Sequence, residues 1–77
     1  MREREYTVVF EQIHGGGWSA FVPDLPGLGV GADTREEAEK LIRDGVRVYI
    51  EELTALGEPI PEPSSFTTTV KIPVLNL

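Results

Sequence analysis

The sequence predicts an α+β fold with the element order β-β-β-α-β, in which one long helix covers one face of a four-stranded mixed sheet with strand order 3-2-1-4. Two observations on the sequence support this predicted fold. Apolar residues alternate with other residues in two stretches near the N-terminus and one near the C-terminus, which is typical of half-buried strands. Between them, one long stretch repeats apolar residues every three or four positions, which indicates a helix. Residues 1–77 are expected to form a single domain.

The first two strands are predicted to form a hairpin. Alternation occurs over residues 6–13 and again over residues 18–22. His14-Gly15-Gly16-Gly17 lies between them, and its glycines can adopt the positive φ angles of a tight reversal. His14 is interpreted as an exposed turn residue, because a general base would need an orienting partner that the sequence does not supply. Pro23 lacks an amide donor and should end the second strand.

A rigid turn and a short third strand should follow the hairpin. The two prolines of Pro23-Asp24-Leu25-Pro26-Gly27 fix φ and push the preceding residues into extended conformations. Residues 28–32 can then form a third strand, in which two glycines leave little side-chain bulk.

The helix is predicted to begin after Thr34 and to end at Gly57. Thr34 and Glu37 have the spacing of a capping box, and glycine is the usual residue after the last helical turn. The helix would contain roughly 22 residues and measure about 33 Å. Its buried face is expected to contain Ala38, Leu41, Ile42, Gly45, Val46, Tyr49, Leu53 and Leu56.

A fourth strand is predicted after a proline-rich connector. Residues 58–63 alternate prolines with other residues and should run extended. Apolar residues then alternate over residues 66–74, where Pro73 indicates an edge position. A right-handed crossover from the third strand would bring this strand to the free side of the first, parallel to it. The opposite face of the sheet would have no helix to cover it.

Composition favours a basic partner and self-association. The 13 acidic and 7 basic side chains give a net charge of −6, which repels nucleic acids at long range and attracts basic proteins. A chain of 77 residues without cysteine has few ways to gain stability other than oligomerisation. A homo-oligomer, a dimer or a tetramer, is therefore expected. No apolar run could serve as a signal peptide or membrane span, so we expect a cytoplasmic location and no membrane contact.

Catalysis is not predicted. A metal-dependent nuclease needs several converging carboxylates, whereas the first predicted strand offers only Glu11 and the fourth offers none. Clusters of Cys and His that could hold a structural metal are also absent from the sequence. We therefore expect a protein that is not an enzyme and that uses no metal or other cofactor.

Several motifs together resemble the N-terminal domain of HicB antitoxins. These are Phe21-Val22-Pro23-Asp24-Leu25-Pro26-Gly27, then Gly31-Ala32-Asp33-Thr34 and Glu36-Glu37-Ala38, and finally Gly57-Glu58-Pro59-Ile60-Pro61. They occur in the family's order and spacing over residues 6–63, and this combination is much more specific than any one motif.

The resemblance implies a partial RNase H-like fold and a binding function. Full-length members of the family bind a small basic toxin of double-stranded-RNA-binding fold, of the HicA type, and block its cleavage of RNA. After residue 77 this sequence has no room for the DNA-binding domain of full antitoxins, so direct DNA binding is not expected. Two alternatives stay open, namely a homo-oligomeric domain without a toxin and a degenerate RNase H-like nucleic-acid enzyme.

The candidate binding residues fall into two groups. The uncovered sheet face, the proline-rich turn and the acidic end of the helix are expected to contact the partner, although ordinary turn chemistry explains the turn better than binding does, and solvation explains the helix end about as well. The candidate partner-binding residues are Phe21, Pro23, Asp24, Leu25, Glu51 and Glu52. The candidate oligomer-interface residues are Val9, Val74, Leu75 and Leu77.

Overall fold

The computed structural model describes residues 3–75, which form three strands and one helix. The strands are β1 (Val9–Gln12), β2 (Trp18–Phe21) and β3 (Gly29–Ala32), and the helix α1 is Arg35–Leu56. The sheet is antiparallel with the strand order β1-β2-β3. The α+β class, the three N-terminal strands and the helix therefore agree with the sequence prediction.

Local hydrogen bonds define the hairpin and both helix ends. Gly17 adopts a φ of 88°, and its carbonyl accepts a hydrogen bond of 2.9 Å from the Ile13 amide. The Thr34 hydroxyl accepts a hydrogen bond of 3.1 Å from the Glu37 amide, as a helix cap requires. Gly57 ends the helix in the left-handed conformation at φ 70°. The elements thus begin and end where the sequence carries turn and capping residues.

The core lies between the sheet and α1. Its fully buried members come from β2, the turn after it and the helix: Ala20, Val22, Leu25, Ala38 and Ile42. The helix packs mainly on β2 and β3. Because β1 has less helix above it, a groove opens between them, and this groove is described below.

The predicted fourth strand is not formed within residues 3–75, and the strand order 3-2-1-4 is therefore not observed. Residues 66–75, termed the arm, contain no strand. Residues 60–65 are held instead by hydrogen bonds to Arg4, Tyr6, Thr7 and Asp24, and no backbone hydrogen bond joins residues 66–75 to β1. Without a neighbouring strand, the alternating sequence has no ladder to join.

The arm extends far beyond the folded body. The radius of gyration is 15.4 Å, whereas a compact chain of this length should have about 11.5 Å. The longest principal dimension is 55 Å, and the other two are 26 and 20 Å. The arm's apolar side chains are consequently left in solvent.

Candidate partner-binding surface

The face of the sheet opposite α1, termed the open face, presents a small apolar patch. Val9 of β1 pairs with Phe21 of β2, which pairs in turn with Gly29 of β3. Neighbouring residues of a strand point to opposite faces, so these three lie away from the buried Ala20 and thus away from the helix. Phe21 is 37% exposed, and Gly29 contributes no side chain to cover it. An aromatic ring therefore stands at the surface beside half-buried Val9.

Polar residues border this patch. The next row across the sheet contains Glu11, Ser19 and Gly31, which alternation places on the same face as Phe21. The Glu11 side chain is exposed. An apolar centre with a polar margin is the usual composition of a protein–protein interface.

The turn after β2 is held from inside by Leu25. Leu25 is 0% exposed, and its amide donates a hydrogen bond of 3.0 Å to the Val22 carbonyl. Its side chain is therefore unavailable to a partner in this conformation, unlike the surface contact expected from the sequence. Pro23 is exposed and remains accessible beside Phe21.

Asp24 binds two serines from the far end of the chain. Its carboxylate accepts hydrogen bonds of 3.0 and 3.1 Å from the amides of Ser64 and Ser65, and of 3.0 and 2.9 Å from their hydroxyls. The hydrogen bond from the Ser64 amide is the main reason that the pKa of Asp24 is lowered from its ordinary value of 3.8. We refer to these three residues as the Asp24 cluster, and its structure indicates a positioning role for Asp24.

Sequence reasoning did not identify the serines of the Asp24 cluster. Ser64 lies 40 residues from Asp24, and no local spacing links the two. The only signal was that a pair of serines follows the proline-rich connector, and such a pair is equally typical of solvated loops.

The C-terminal half of α1, which carries an acidic end, contacts the turn after β2. The Tyr49 hydroxyl donates a hydrogen bond of 3.0 Å to the Pro26 carbonyl, which joins the two elements. Glu51 and Glu52 are exposed, and Glu51 forms an ion pair of 3.2 Å with Arg47. The last helical turn contains no basic residue. The negative end of the helix dipole therefore adds to the potential of these carboxylates.

A groove of about 720 Å³ lies between β1 and α1, on the helix side of the sheet. We call it the β1 groove. Its walls combine apolar and charged side chains, namely Arg4, Glu5, Tyr6, Val8, Phe10, Glu39, Ile42, Arg43 and Val46.

The candidate oligomer-interface residues lie in two distant parts of the structure. Val9 belongs to the open face, whereas Val74 and Leu75 are at the end of the arm and are 85% and 87% exposed. Leu77 lies outside the described residues. The structure thus brings Val9 together with Phe21 and leaves the arm residues apart from both.

Residues 3–75 contain neither a cluster of metal-ligating side chains nor a membrane-spanning helix. No group of three or more His, Cys, Asp or Glu residues in this range is arranged to hold a metal ion. No helix in the same range is long and apolar enough to span a membrane.

Comparison with known proteins identifies the family of this chain. A family model for the HicB-like antitoxin of bacterial toxin–antitoxin systems matches residues 6–75. The chain is similar to UPF0150 protein ssr1765 of Synechocystis sp., with 42% identity over 57 residues, or 74% of this chain and 72% of the relative. It is also similar to UPF0150 protein Ta0767 of Thermoplasma acidophilum, with 35% identity over 66 residues, or 86% of this chain and 96% of the relative. The residues matched by the family model include the sheet, the helix, the Asp24 cluster and the arm.

Proposed function

The chain belongs to the HicB-like antitoxins of bacterial toxin–antitoxin systems, and from that premise we propose that it binds and neutralises a small basic toxin of the HicA, RNA-cleaving type. The observation that carries this proposal is the open face, where Phe21 stands exposed beside Val9 with Glu11 at the margin. A net charge of −6 favours encounter with a basic protein.

The proposed contact surface is centred on Phe21. A few residues near the centre of a protein interface, aromatic ones often among them, supply most of its binding energy once they are desolvated. Pro23 lies next to Phe21 in space and extends the surface, because it follows the same strand and is exposed. Asp24 supports this surface by holding the turn through the two serines rather than by contacting the partner. Leu25 supports it from the core.

Glu51 and Glu52 have a different proposed role. Both are exposed near the negative end of α1, and the C-terminal half of this helix contacts the turn after β2. Exposed charges of this kind accelerate encounter with a complementary partner more than they stabilise the complex. We assign them to the steering of a basic toxin.

The mechanism of neutralisation follows from charge and shape. A toxin that cleaves RNA needs a basic surface for the phosphate backbone. An acidic domain bound to that surface would exclude RNA both by occupying it and by repelling phosphate. No catalytic step is required of the chain, and we propose that it acts by binding alone in the cytoplasm.

We also propose that the chain is a homo-oligomer, a dimer or a tetramer, with Val9, Val74 and Leu75 at its interface. The exposure of Val74 and Leu75 supports this, because apolar side chains that are 85% and 87% exposed gain stability from a covering partner. The same observation favours a second candidate function, in which the chain is a homo-oligomeric domain that no longer has a toxin.

Affinity capture tests the proposed function and separates the two candidates. The tagged chain is incubated at low salt with lysate of its source organism, and eluted proteins are weighed by intact-mass spectrometry. The antitoxin function predicts a small basic protein in stoichiometric amount, which must also bind the purified chain after separate expression. Recovery of the chain alone as a discrete oligomer would support the second candidate instead.

A further inference from the structure

The arm has the sequence pattern of a strand but no sheet to join. Its ten residues alternate an apolar row with a more polar row, and as a strand at about 3.3 Å per residue they would span about 33 Å. All of its large apolar side chains are at least 70% exposed: Phe66, Val70, Ile72, Val74 and Leu75. No backbone hydrogen bond joins residues 66–75 to the rest of the described chain.

The outer edge of β1 has backbone hydrogen-bonding groups that no strand in residues 3–75 pairs with. The Ile13 amide bonds to Gly17, so alternation along the antiparallel pair directs the backbone groups of Glu11 and Val9 toward β2. The amides and carbonyls of Phe10 and Gln12 then point outward. Since β1 is the first strand of the sheet, no strand in residues 3–75 pairs with this edge.

The β1 groove runs along that same edge and is suited to the apolar row of the arm. Tyr6, Val8 and Phe10 line it from the strand side, while Ile42 and Val46 line it from the helix. A strand added beside β1 would direct alternate side chains into this groove. In the arm these are Phe66, Thr68, Val70, Ile72 and Val74.

The polar row of such a strand would lie on the open face. Lys71 belongs to this row and is the only charged residue in the arm, and Glu11 is the exposed carboxylate on that side of β1. Pro73 belongs to the same row, and its missing amide is tolerated in an edge strand. Both rows of the arm therefore have suitable neighbours at the β1 edge.

The chain's own arm starts from Ser65, which is held on the face of the sheet opposite its own groove. Tyr6 lines the groove and donates a hydrogen bond of 2.6 Å to the Pro61 carbonyl, so Pro61 is near the helix side. Thr7 points to the opposite face by alternation, and it donates a hydrogen bond of 2.7 Å to the Ser65 carbonyl. Between Pro61 and Ser65 the chain thus passes across the residues just before β1, from the helix side to the opposite face. At Ser65 it is held to Asp24 on the far side.

We propose that the arm of each chain pairs with the β1 edge of a second copy and fills that copy's β1 groove, which gives a reciprocal two-fold dimer. Addition of an extended segment to an exposed sheet edge is a common mode of protein association, and reciprocal exchange of one segment closes the assembly at two copies. This inference rests on the proposed homo-oligomer and does not depend on the toxin.

Two matched variants test the arm's apolar row. Val70→Lys places a charge in the groove of the partner, whereas Thr69→Lys places the same charge in the neighbouring polar row. We expect the wild-type chain and Thr69→Lys to have the mass of two chains by light scattering. Val70→Lys should raise the dimer dissociation constant about a hundredfold or more. Its circular dichroism should keep the helical signal, since Val70 is 75% exposed in the single chain.

Single-cysteine variants test the position of the arm. The chain contains no cysteine, so a Glu11→Cys chain mixed with a Lys71→Cys chain can form a heterodisulfide only between two copies. We expect this product under mild oxidation. As a control, Lys40→Cys on the exposed side of α1 replaces Glu11→Cys and should give little heterodisulfide. Thr67→Cys and Thr69→Cys in place of Lys71→Cys would give the register.

The outcomes separate this inference from the proposed function. A dimer that Val70→Lys leaves intact would contradict arm exchange but keep the homo-oligomer. A monomeric wild-type chain would contradict both arm exchange and the homo-oligomer. If a monomer of the double variant Glu11→Cys/Lys71→Cys forms an internal disulfide, the arm returns to its own sheet. Toxin binding is measured separately and can survive either result. A monomer whose toxin affinity falls with Val70→Lys would assign the arm to the toxin and overturn the proposal.

Discussion

The carboxylate of Asp24 accepts hydrogen bonds from both the amide and the hydroxyl of Ser65, 41 residues further along the chain. This contact joins the turn after β2 to the segment that leads into the arm. It therefore determines where the arm leaves the body, and it fixes the turn beside the exposed ring of Phe21.

The first prediction concerns the charge of Asp24. Because its pKa in the folded protein is lowered from 3.8, its ionised form stabilises the fold above pH 3.8, and this stabilisation is lost as the pH falls through the lowered value. Asp24→Asn should therefore lower the melting temperature at pH 7. The difference from the wild type should shrink below pH 3.8. Thermal unfolding from pH 2.5 to pH 7 measures the lower melting temperature and its dependence on pH.

Asp44→Asn is the matched control for the charge of Asp24. Asp44 is exposed on the helix and has no hydrogen bond to the serines. This variant should change the melting temperature less than Asp24→Asn does at pH 7. If Asp24→Asn lowers the melting temperature by the same amount at every pH, the carboxylate charge is not the cause of the lost stability.

A second prediction concerns the start of α1. The Thr34 hydroxyl accepts the Glu37 amide at 3.1 Å, and its removal leaves that donor without a partner. Thr34→Ala should lower the free energy of unfolding by about 1 kcal/mol, whereas Thr34→Ser should lower it by much less. Urea denaturation monitored by circular dichroism provides the comparison. Equal losses for the two variants would argue against the cap.

The sequence predicted the elements that depend on local chemistry. The glycine hairpin and the helix between Thr34 and Gly57 were predicted correctly because turn and capping residues determine them within a few positions. The resemblance to HicB antitoxins, drawn from residues 6–63, is confirmed by the family match over residues 6–75.

Features that depend on distant contacts were not predictable. Alternation over residues 66–74 indicates a segment able to pair, but it does not identify the neighbour or the copy that supplies it. The composition of the turn after β2 gave no sign that Leu25 is completely buried, because burial is set by the helix packed above it. Likewise, the hydrogen bonds of Asp24 depend on serines brought close only by the fold.

A third prediction concerns Phe21. If the open face binds the toxin, Phe21→Ser should raise the dissociation constant of the complex by about ten- to a hundredfold, since a central aromatic side chain is lost. Calorimetric titration of each variant with the purified toxin gives these constants.

Val48→Ser serves as the comparison for Phe21. Val48 is 42% exposed on the helix, a similar exposure to the 37% of Phe21 but on another face of the molecule. Its substitution should leave the affinity within about twofold. An equal loss with both variants would place the interface elsewhere.

A fourth prediction concerns steering by the acidic end of the helix. Glu52→Lys and Asp44→Lys alter the net charge equally, and both sites are exposed on α1. Glu52→Lys should slow association with the toxin several-fold more than Asp44→Lys at low ionic strength, and the difference should vanish at about 0.5 M salt. Stopped-flow association rates test this. Equal rates at low salt would mean that only net charge matters.

Neutralisation by binding is tested by an RNA-cleavage assay with the purified basic partner, to which increasing amounts of the chain are added. We expect cleavage to stop when the chain reaches the stoichiometry of the complex, and Phe21→Ser to shift this point to higher concentration. Cleavage that continues with the chain in large excess, although the two proteins bind, would contradict the proposed neutralisation.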